Sequence, residues 1–109
     1  MTSAIYQDLP VQQLASLGPD VRRIDVREPS EYTGPLGHLP GAELVPLATV
    51  EAAAAAWSRE QSLLLICRSG ARSVTAAHRL AALGFTRLYN LAGGMLAVNE
   101  AQLPVEDRG

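Results

Sequence analysis

The only cysteine of this 109-residue chain, Cys67, lies where an apolar run ends and a helical pattern begins. Residues 63–74 read LLLICRSGARSV, so a glycine between two arginines follows the thiol. Gly70 can adopt backbone conformations closed to other residues, which lets the segment curl with its N–H groups around the sulfur. These groups, the positive end of the next helix and the arginines would stabilise a thiolate, the nucleophilic form. The pattern predicts a reactive thiol; the alternative is a small, inert, buried side chain.

Composition excludes several classes of function. All nine Lys or Arg positions are arginine, which excludes Schiff-base chemistry and a phosphate-loop lysine. A single cysteine excludes an intrachain disulfide and a dithiol mechanism. A net charge of −2 argues against binding to nucleic acid or to a membrane surface. Neither a secretion signal nor an apolar run of the ~20 residues that span a bilayer is visible. We therefore expect one soluble domain over residues 1–109 in a reducing, cytoplasm-like compartment.

The elements that must position the thiol alternate along the chain, which favours an α/β fold with an open, mostly parallel sheet. The apolar run up to Cys67 suits a central strand covered on both faces. Binding sites in such sheets lie at the carboxyl ends of the strands, where Cys67 falls. The patterns predict strands at 5–6, 21–27, 42–47, 62–67 and 86–91, helices at 9–17, 49–58, 73–85 and 95–101, and a loop over 28–41 with one helical turn at 30–32.

Local signals define some details of these helices. Thr49 is a candidate N-cap for the alanine-rich helix. The helix after the thiol is expected to bury Val74, Ala77, Leu80 and Ala81, and Gly84 is expected to end it.

Four segments, in this order and spacing, resemble the rhodanese-like family of single-domain sulfurtransferases. They are IDVREPSEY at 24–32, GHLPGA at 37–42, LLLICRSGARS at 63–73 and LAGGMLAVN at 91–99. The resemblance extends from about Ile5 to Val105 and implies a rhodanese-like, five-stranded sheet flanked by helices on both faces. The chain departs from the family at Val98, where tryptophan is frequent, and in GPLGH, which lengthens the segment after Tyr32.

The resemblance implies a sulfurtransferase of the thiosulfate:cyanide type. Cys67 would take sulfane sulfur from a small anionic donor such as thiosulfate and carry it as a persulfide. Cyanide, a thiol or a sulfur-accepting protein would then receive the sulfur. The reaction needs no metal or organic cofactor, and the two histidines and Cys67 lack metal-ligand spacing.

The resemblance also assigns the residues of the cradle around the sulfur. Arg72 matches a frequent family arginine, and Arg68 is expected to face solvent and attract anions; an ordinary surface charge is the alternative for each. Ser73 is either a helix cap or a substrate contact. The residues implied to bind substrate are Arg68, Ser69, Gly70, Ala71, Arg72 and Ser73.

Further residues are interpreted as supports. Asp25, Arg27 and Glu31 are expected to form ion pairs and hydrogen bonds that brace the loops, with a direct catalytic role as the alternative. His38 is expected to make a structural hydrogen bond to the backbone rather than acid–base chemistry. His78 is expected at the surface.

Two other functions remain open. Rhodanese-like domains also occur as non-enzymatic binding or regulatory modules, although these usually lack the cysteine. Cysteine phosphatases and arsenate reductases also hold a thiolate in a ring of amides. Such phosphatases place arginine six positions after the cysteine, whereas this chain has Ser73 there and Arg72 at five.

Overall fold

The computed structural model describes residues 4–107, which contain a five-stranded sheet with the order β1-β5-β4-β2-β3. Every pair of neighbouring strands is parallel. The sheet confirms the predicted open α/β architecture. Its strands are β1 (Gln7–Leu9), β2 (Arg22–Asp25), β3 (Glu43–Leu44), β4 (Leu63–Ile66) and β5 (Leu88–Leu91).

Helices lie on both faces of the sheet, as expected. The α-helices are α1 (Pro29–Tyr32), α2 (Val50–Ala54), α3 (Ala71–Ala82) and α4 (Gly94–Glu100), and 3-10 helices span Val11–Ser16 and Leu47–Thr49. The side chains of β4 alternate between two cores. Leu63 and Leu65 pack with α2 and α3, whereas Leu64 and Ile66 pack with the first 3-10 helix and α4. All four are completely buried, which is why the central strand reads as one apolar run.

Several element predictions need correction, among them the third strand, which is Glu43–Leu44 rather than residues 42–47. The first strand is Gln7–Leu9 rather than residues 5–6, because pairing with Tyr89–Leu91 selects it, and Ile5 is 44% exposed. The segment predicted as a helix over 9–17 forms a 3-10 helix at Val11–Ser16.

The alanine-rich helix α2 ends at Ala54, four residues before the predicted end. The guanidinium of Arg59 donates hydrogen bonds to the carbonyl oxygens of Ala54 and Trp57, so the chain turns there. Thr49 does not cap the helix through its side chain; its hydroxyl donates to the carbonyl of Pro46 at 3.0 Å.

The buried face of α3 is rotated from the predicted one. Ser73, Ala76, Ala77 and Leu80 are buried, whereas Val74 and Ala81 are only half-buried. Ala81 still packs against the core, so the prediction was wrong for Val74 alone. The rotation places the hydroxyl of Ser73 in the core. It lies next to residues 67–70, which connect β4 to α3 and form the cysteine loop. Gly84 ends the helix as expected, since its N–H donates to the carbonyl of Ala81 and its φ is +106°.

Candidate active site

Cys67 immediately follows β4 at the carboxyl edge of the sheet, and 1% of its surface is exposed. Helix α3 begins only four residues later, at Ala71. Gly70 provides the sharp turn between strand and helix with a φ of +103°, a left-handed conformation that favours glycine. The local sequence therefore places the start of α3 directly beside the sulfur.

The first turn of α4 fixes the direction of the peptide groups after Cys67. The N–H of Met95 donates to the carbonyl of Cys67 at 2.9 Å, and that of Leu96 donates to the carbonyl of Arg68 at 3.0 Å. Because C=O and N–H point in opposite directions across a trans peptide, the amides of Arg68 and Ser69 are turned away from α4. A side chain at Gly94 would overlap those two carbonyl oxygens, so glycine permits this approach.

Hydrogen-bond donors surround the sulfur of Cys67. The N–H of Gly70 donates to Sγ at 3.0 Å, and the hydroxyl oxygen of Ser73 lies 3.3 Å from Sγ. Burial raises the pKa of the Cys67 thiol, but hydrogen bonds from the Ser73 hydroxyl and from the amides of Ser73, Gly70 and Ser69 outweigh it, so the pKa lies below its ordinary value. The surroundings favour the nucleophilic thiolate.

The predicted six-residue cradle is only partly assembled around the sulfur. Ser69, Gly70 and Ser73 contribute to it, whereas within residues 4–107 no hydrogen bond joins Sγ to Arg68, Ala71 or Arg72. The side chain of Arg68 is exposed, as expected. Substrate binding by these residues stays a prediction.

Ser73 is not the helix cap, because Gly70 occupies that position. The Ser73 side chain is completely buried instead. Its hydroxyl lies within hydrogen-bonding distance of the carbonyl of Gly70, at 3.1 Å, and of the side-chain oxygen of Asn90. Ser73 therefore links the cysteine loop to β5.

Arg72 forms a two-pronged ion pair with Glu31 of α1. Both of its terminal nitrogens donate to the carboxylate at 2.7 Å. The Arg72 hydrogen bonds outweigh burial and hold the pKa of Glu31 at about 2, and the same pair raises the pKa of Arg72. The contact fastens α1 to the first turn of α3 and sets a negative charge beside Arg72, one of the residues that the resemblance implies bind the anionic substrate.

Asp25 and Arg27 form a second ion pair, which is completely buried at the end of β2. The Arg27 guanidinium donates to the two Asp25 oxygens at 2.9 and 2.8 Å and to the carbonyl of Gly37 at 2.7 Å. Asp25 is paired in register with Ile66, the residue before Cys67. The contacts brace β2 against the glycine-rich loop, and a direct share in catalysis stays a prediction.

His38 contacts the scaffold. Its Nδ1 lies 2.9 Å from the carbonyl oxygen of Tyr32, and its ring stacks on the Tyr32 ring with centroids 3.7 Å apart. The backbones of His38 and Glu106 form an antiparallel bridge. His78 is exposed, and its ring packs against that of Tyr6 in a T-shaped arrangement.

The sequence pattern did not single out Asn90 or Asp8. The buried amide of Asn90 accepts from Ser73 and donates to the Asp8 carboxylate at 2.9 Å. The available signal was a polar residue within an otherwise apolar strand, next in register to Leu65 of the central strand. Val98 on α4, where the family often has tryptophan, is completely buried in the core.

Residues 4–107 contain no group of three or more His, Cys, Asp or Glu side chains arranged to hold a metal ion. In the same part of the chain, no helix has the length and apolar character needed to cross a membrane.

Comparison with known proteins identifies the family. Residues 11–101 match the model of the rhodanese-like domain, so the chain belongs to this family. A sulfurtransferase from Allochromatium vinosum is 31% identical over 105 residues, which cover 96% of this chain and 95% of that protein. The likeness therefore spans nearly the full length of both proteins.

Solved structures share the fold. A rhodanese-related protein from Thermoplasma volcanium superposes with a TM-score of 0.82 at 24% identity, covering 94% of this chain and 99% of that one. A protein from Rhodopseudomonas palustris, described as a possible tyrosine phosphatase, gives a TM-score of 0.79 at 22% identity and covers 97% and 96%. At these identities the structural likeness establishes the fold and not the activity.

Proposed function

We propose that the protein is a sulfurtransferase that carries sulfane sulfur as a persulfide on Cys67. The observation that supports this most strongly is the set of donors at the sulfur, with the Gly70 amide at 3.0 Å and the Ser73 hydroxyl at 3.3 Å. The full-length relative named a sulfurtransferase supports the same class of reaction.

Thiosulfate illustrates the first half-reaction. The Cys67 thiolate attacks the outer sulfur of the donor and forms a new S–S bond. The bond between that sulfur and the sulfite group breaks, sulfite leaves with the electron pair, and Cys67 carries a persulfide. No net oxidant or reductant is required, since sulfur is exchanged between two nucleophiles.

The acceptor completes the cycle. A thiolate or cyanide attacks the terminal sulfur of the persulfide, and the Cys67 thiolate leaves with the bonding electrons. Donors that stabilise the thiolate assist its departure, because a thiol of lower pKa is the better leaving group. One set of amides thus serves both half-reactions, and ping-pong kinetics are expected.

Burial of Cys67 bears on the choice of donor and acceptor. With 1% of its surface exposed, the residue favours slender reagents over bulky ones at the sulfur. A protein could act as acceptor by presenting a thiol on an extended segment. We include a reducing, cytoplasm-like compartment in the proposal, since a lone reactive thiol stays reduced there.

Intact-protein mass spectrometry with a panel of donors and acceptors tests the proposal. Thiosulfate treatment should add the mass of one sulfur atom to the wild type and nothing to Cys67→Ser, and cyanide or a thiol should remove it. Because Cys67 is the only cysteine, the position of the added sulfur is unambiguous. Sulfur transfer by Cys67→Ser would refute the assignment. No sulfur loading from any donor would favour the non-enzymatic binding module.

A cysteine phosphatase is the second candidate, because such enzymes also hold a thiolate among amide donors of the kind found at Cys67. The loop argues against it, because the position six residues after Cys67 is Ser73, a buried residue that hydrogen-bonds within the scaffold. Steady hydrolysis of an aryl phosphate without sulfur transfer from thiosulfate would reverse the choice between the two.

A further inference from the structure

A chain of side-chain hydrogen bonds runs from the sulfur to the edge of the sheet. Cys67 after β4 contacts Ser73 on α3, Ser73 contacts Asn90 on β5, and Asn90 contacts Asp8 on β1. Ser73 and Asn90 are buried, whereas Asp8 is exposed and pairs in register with Asn90. We propose that Asp8 and Asn90 are positioning residues that set the direction of the Ser73 hydroxyl and thereby the ease with which Cys67 ionises.

The hydroxyl of Ser73 has a single hydrogen but three neighbouring atoms able to accept it. These are the sulfur of Cys67, the carbonyl oxygen of Gly70 and the side-chain oxygen of Asn90. A hydroxyl donates one hydrogen bond at a time and accepts with its lone pairs. The partner that receives the hydrogen therefore determines whether Ser73 directs its hydrogen or a lone pair toward the sulfur.

Asp8 determines how the Asn90 amide is oriented. An ionised carboxylate only accepts hydrogen bonds, so the NH₂ group of Asn90 faces it, at 2.9 Å. The amide oxygen then faces Ser73 and requires the hydroxyl hydrogen. While Cys67 is protonated, the Ser73 oxygen therefore presents a lone pair to the sulfur, and the thiol donates its hydrogen to it.

Ionisation of Cys67 changes which atom needs the Ser73 hydrogen. The thiolate only accepts, so the Ser73 hydrogen is needed at the sulfur, and the buried Asn90 oxygen loses its donor. A buried polar atom without a partner is costly. Turning the Asn90 amide over would restore a donor to Ser73 but would point the amide oxygen at the Asp8 carboxylate. Asp8 therefore opposes the rearrangement that the thiolate favours.

Other charged groups lie near the two ends of the hydrogen-bond chain, and the substitutions proposed below do not change them. Arg72 on α3 interacts with the sulfur and is paired with Glu31 of α1. Asp25 and Arg27 are paired at the end of β2. At the outer end, Tyr6, Arg87 and Tyr89 line the same open cleft as Asp8.

Titration of the single thiol tests the proposal. The ultraviolet absorbance of the thiolate is followed against pH, with Cys67→Ser as the blank for tyrosine ionisation. Asp8→Asn should lower the midpoint by roughly half to one pH unit, the size of one neutral hydrogen bond, because an amide at position 8 accepts either orientation of Asn90. Asp20→Asn, which removes an exposed carboxylate outside the chain of hydrogen bonds, should leave the midpoint unchanged.

A double-mutant cycle separates hydrogen-bond positioning from simple charge removal. In an Asn90→Ala background, Asp8→Asn should no longer shift the midpoint. An equal shift in both backgrounds, an equal shift in Asp20→Asn, or no downward shift in Asp8→Asn would each overturn the proposal. If Asn90→Ala does not fold, Asn90→Leu, which is closer in size to asparagine and also lacks the amide, replaces it in the cycle.

The catalytic meaning of this positioning rests on the proposed function. The pH profile of sulfur loading should move with the titration midpoint in Asp8→Asn. Absence of sulfur transfer in the wild type and in every variant would refute the proposed function. The titration needs no sulfur donor, so it tests the positioning role of Asp8 and Asn90 independently.

Discussion

Two ion pairs lie beside the cysteine loop, and they differ in their exposure to water. Asp25–Arg27 is buried, with side-chain exposures of 0% and 1%, whereas Glu31 and Arg72 are 28% and 36% exposed. Burial makes the first pair costly to break, since either partner alone would be an uncompensated charge in the core. Water around the second pair screens its charges and weakens its contribution to stability. The buried pair therefore holds the scaffold, whereas the charges of the exposed pair bear on the site.

Their additional partners support this division. Arg27 also donates to the carbonyl of Gly37, so the buried pair connects β2 to the loop over 28–41. Arg72 interacts electrostatically with the Cys67 sulfur, and its guanidinium is bound on both terminal nitrogens by Glu31. Changes to the first pair should therefore appear mainly in stability, and changes to the second mainly in the handling of anionic donors.

The largest effect is expected from Arg27→Met. The substitution strands the Asp25 carboxylate in the core, so the free energy of unfolding should fall by about 3–5 kcal/mol. Urea denaturation measures the loss, with Arg79→Met as a matched control, since Arg79 lies in an exposed pair with Glu51. A loss below about 1 kcal/mol would remove the distinction between the two pairs.

Arg72→Ala should weaken the binding of an anionic sulfur donor more than it lowers the stability of the fold. It removes a positive charge and exposes the negative charge of Glu31, so the KM for thiosulfate should rise roughly fivefold, about 1 kcal/mol. The KM for a neutral persulfide should change much less. Steady-state kinetics with both donors measure the ratio, and equal effects on the two would show that Arg72 has another role.

Glu31→Gln should change the KM for thiosulfate in the opposite direction. Because the substitution leaves the positive charge of Arg72 without its partner, the KM should fall. Its cost in stability should not exceed about 1 kcal/mol at neutral pH, given the exposure of the pair. The pKa of Glu31 is lowered to about 2 in the folded protein, so its stabilising contribution is present above the unfolded value and is lost as pH falls through 2.

Acid denaturation of the wild type and of Glu31→Gln checks this sign. The difference in stability between the two proteins should shrink as the pH is lowered from 5 toward 2. A difference that grows toward low pH would contradict the assignment of the lowered pKa to the Arg72 contact.

The smallest effect is expected from Glu43→Gln, the matched control for Glu31→Gln. Glu43 and Arg22 form a two-pronged pair with similar distances, 2.7 and 2.9 Å, on the neighbouring strands β3 and β2. Stability should change by about 0.5 kcal/mol or less, and the KM for thiosulfate should not change. A change in KM equal to that of Glu31→Gln would mean that any surface charge has the same influence.

Much of the fold could be predicted from the sequence, because the patterns that identify strands and turns involve residues close together in the chain. The continuous apolar run at 62–67 identified the central strand, and the glycine after it identified the turn that bends the chain around Cys67. The short edge strand was misplaced at 5–6, because its register is selected by pairing with β5 across most of the chain.

The contacts that complete the site are long-range, which explains why the sequence could not reveal them. Glu31 and Arg72 are 41 residues apart, and Asp8 and Asn90 are 82 residues apart. No helical or strand periodicity relates such positions. The role of Gly94 also depended on the approach of α4 to the loop carbonyls, which is a property of packing.

The central claim is that main-chain and hydroxyl donors lower the pKa of the single thiol and so favour its nucleophilic thiolate form. Titration of Cys67 in the wild type, by thiolate absorbance against the Cys67→Ser blank, tests it most directly. The donors around the sulfur predict a midpoint clearly below the ordinary thiol range of about 8–9. A midpoint at or above that range would contradict the account, because the buried sulfur would then be an inert thiol.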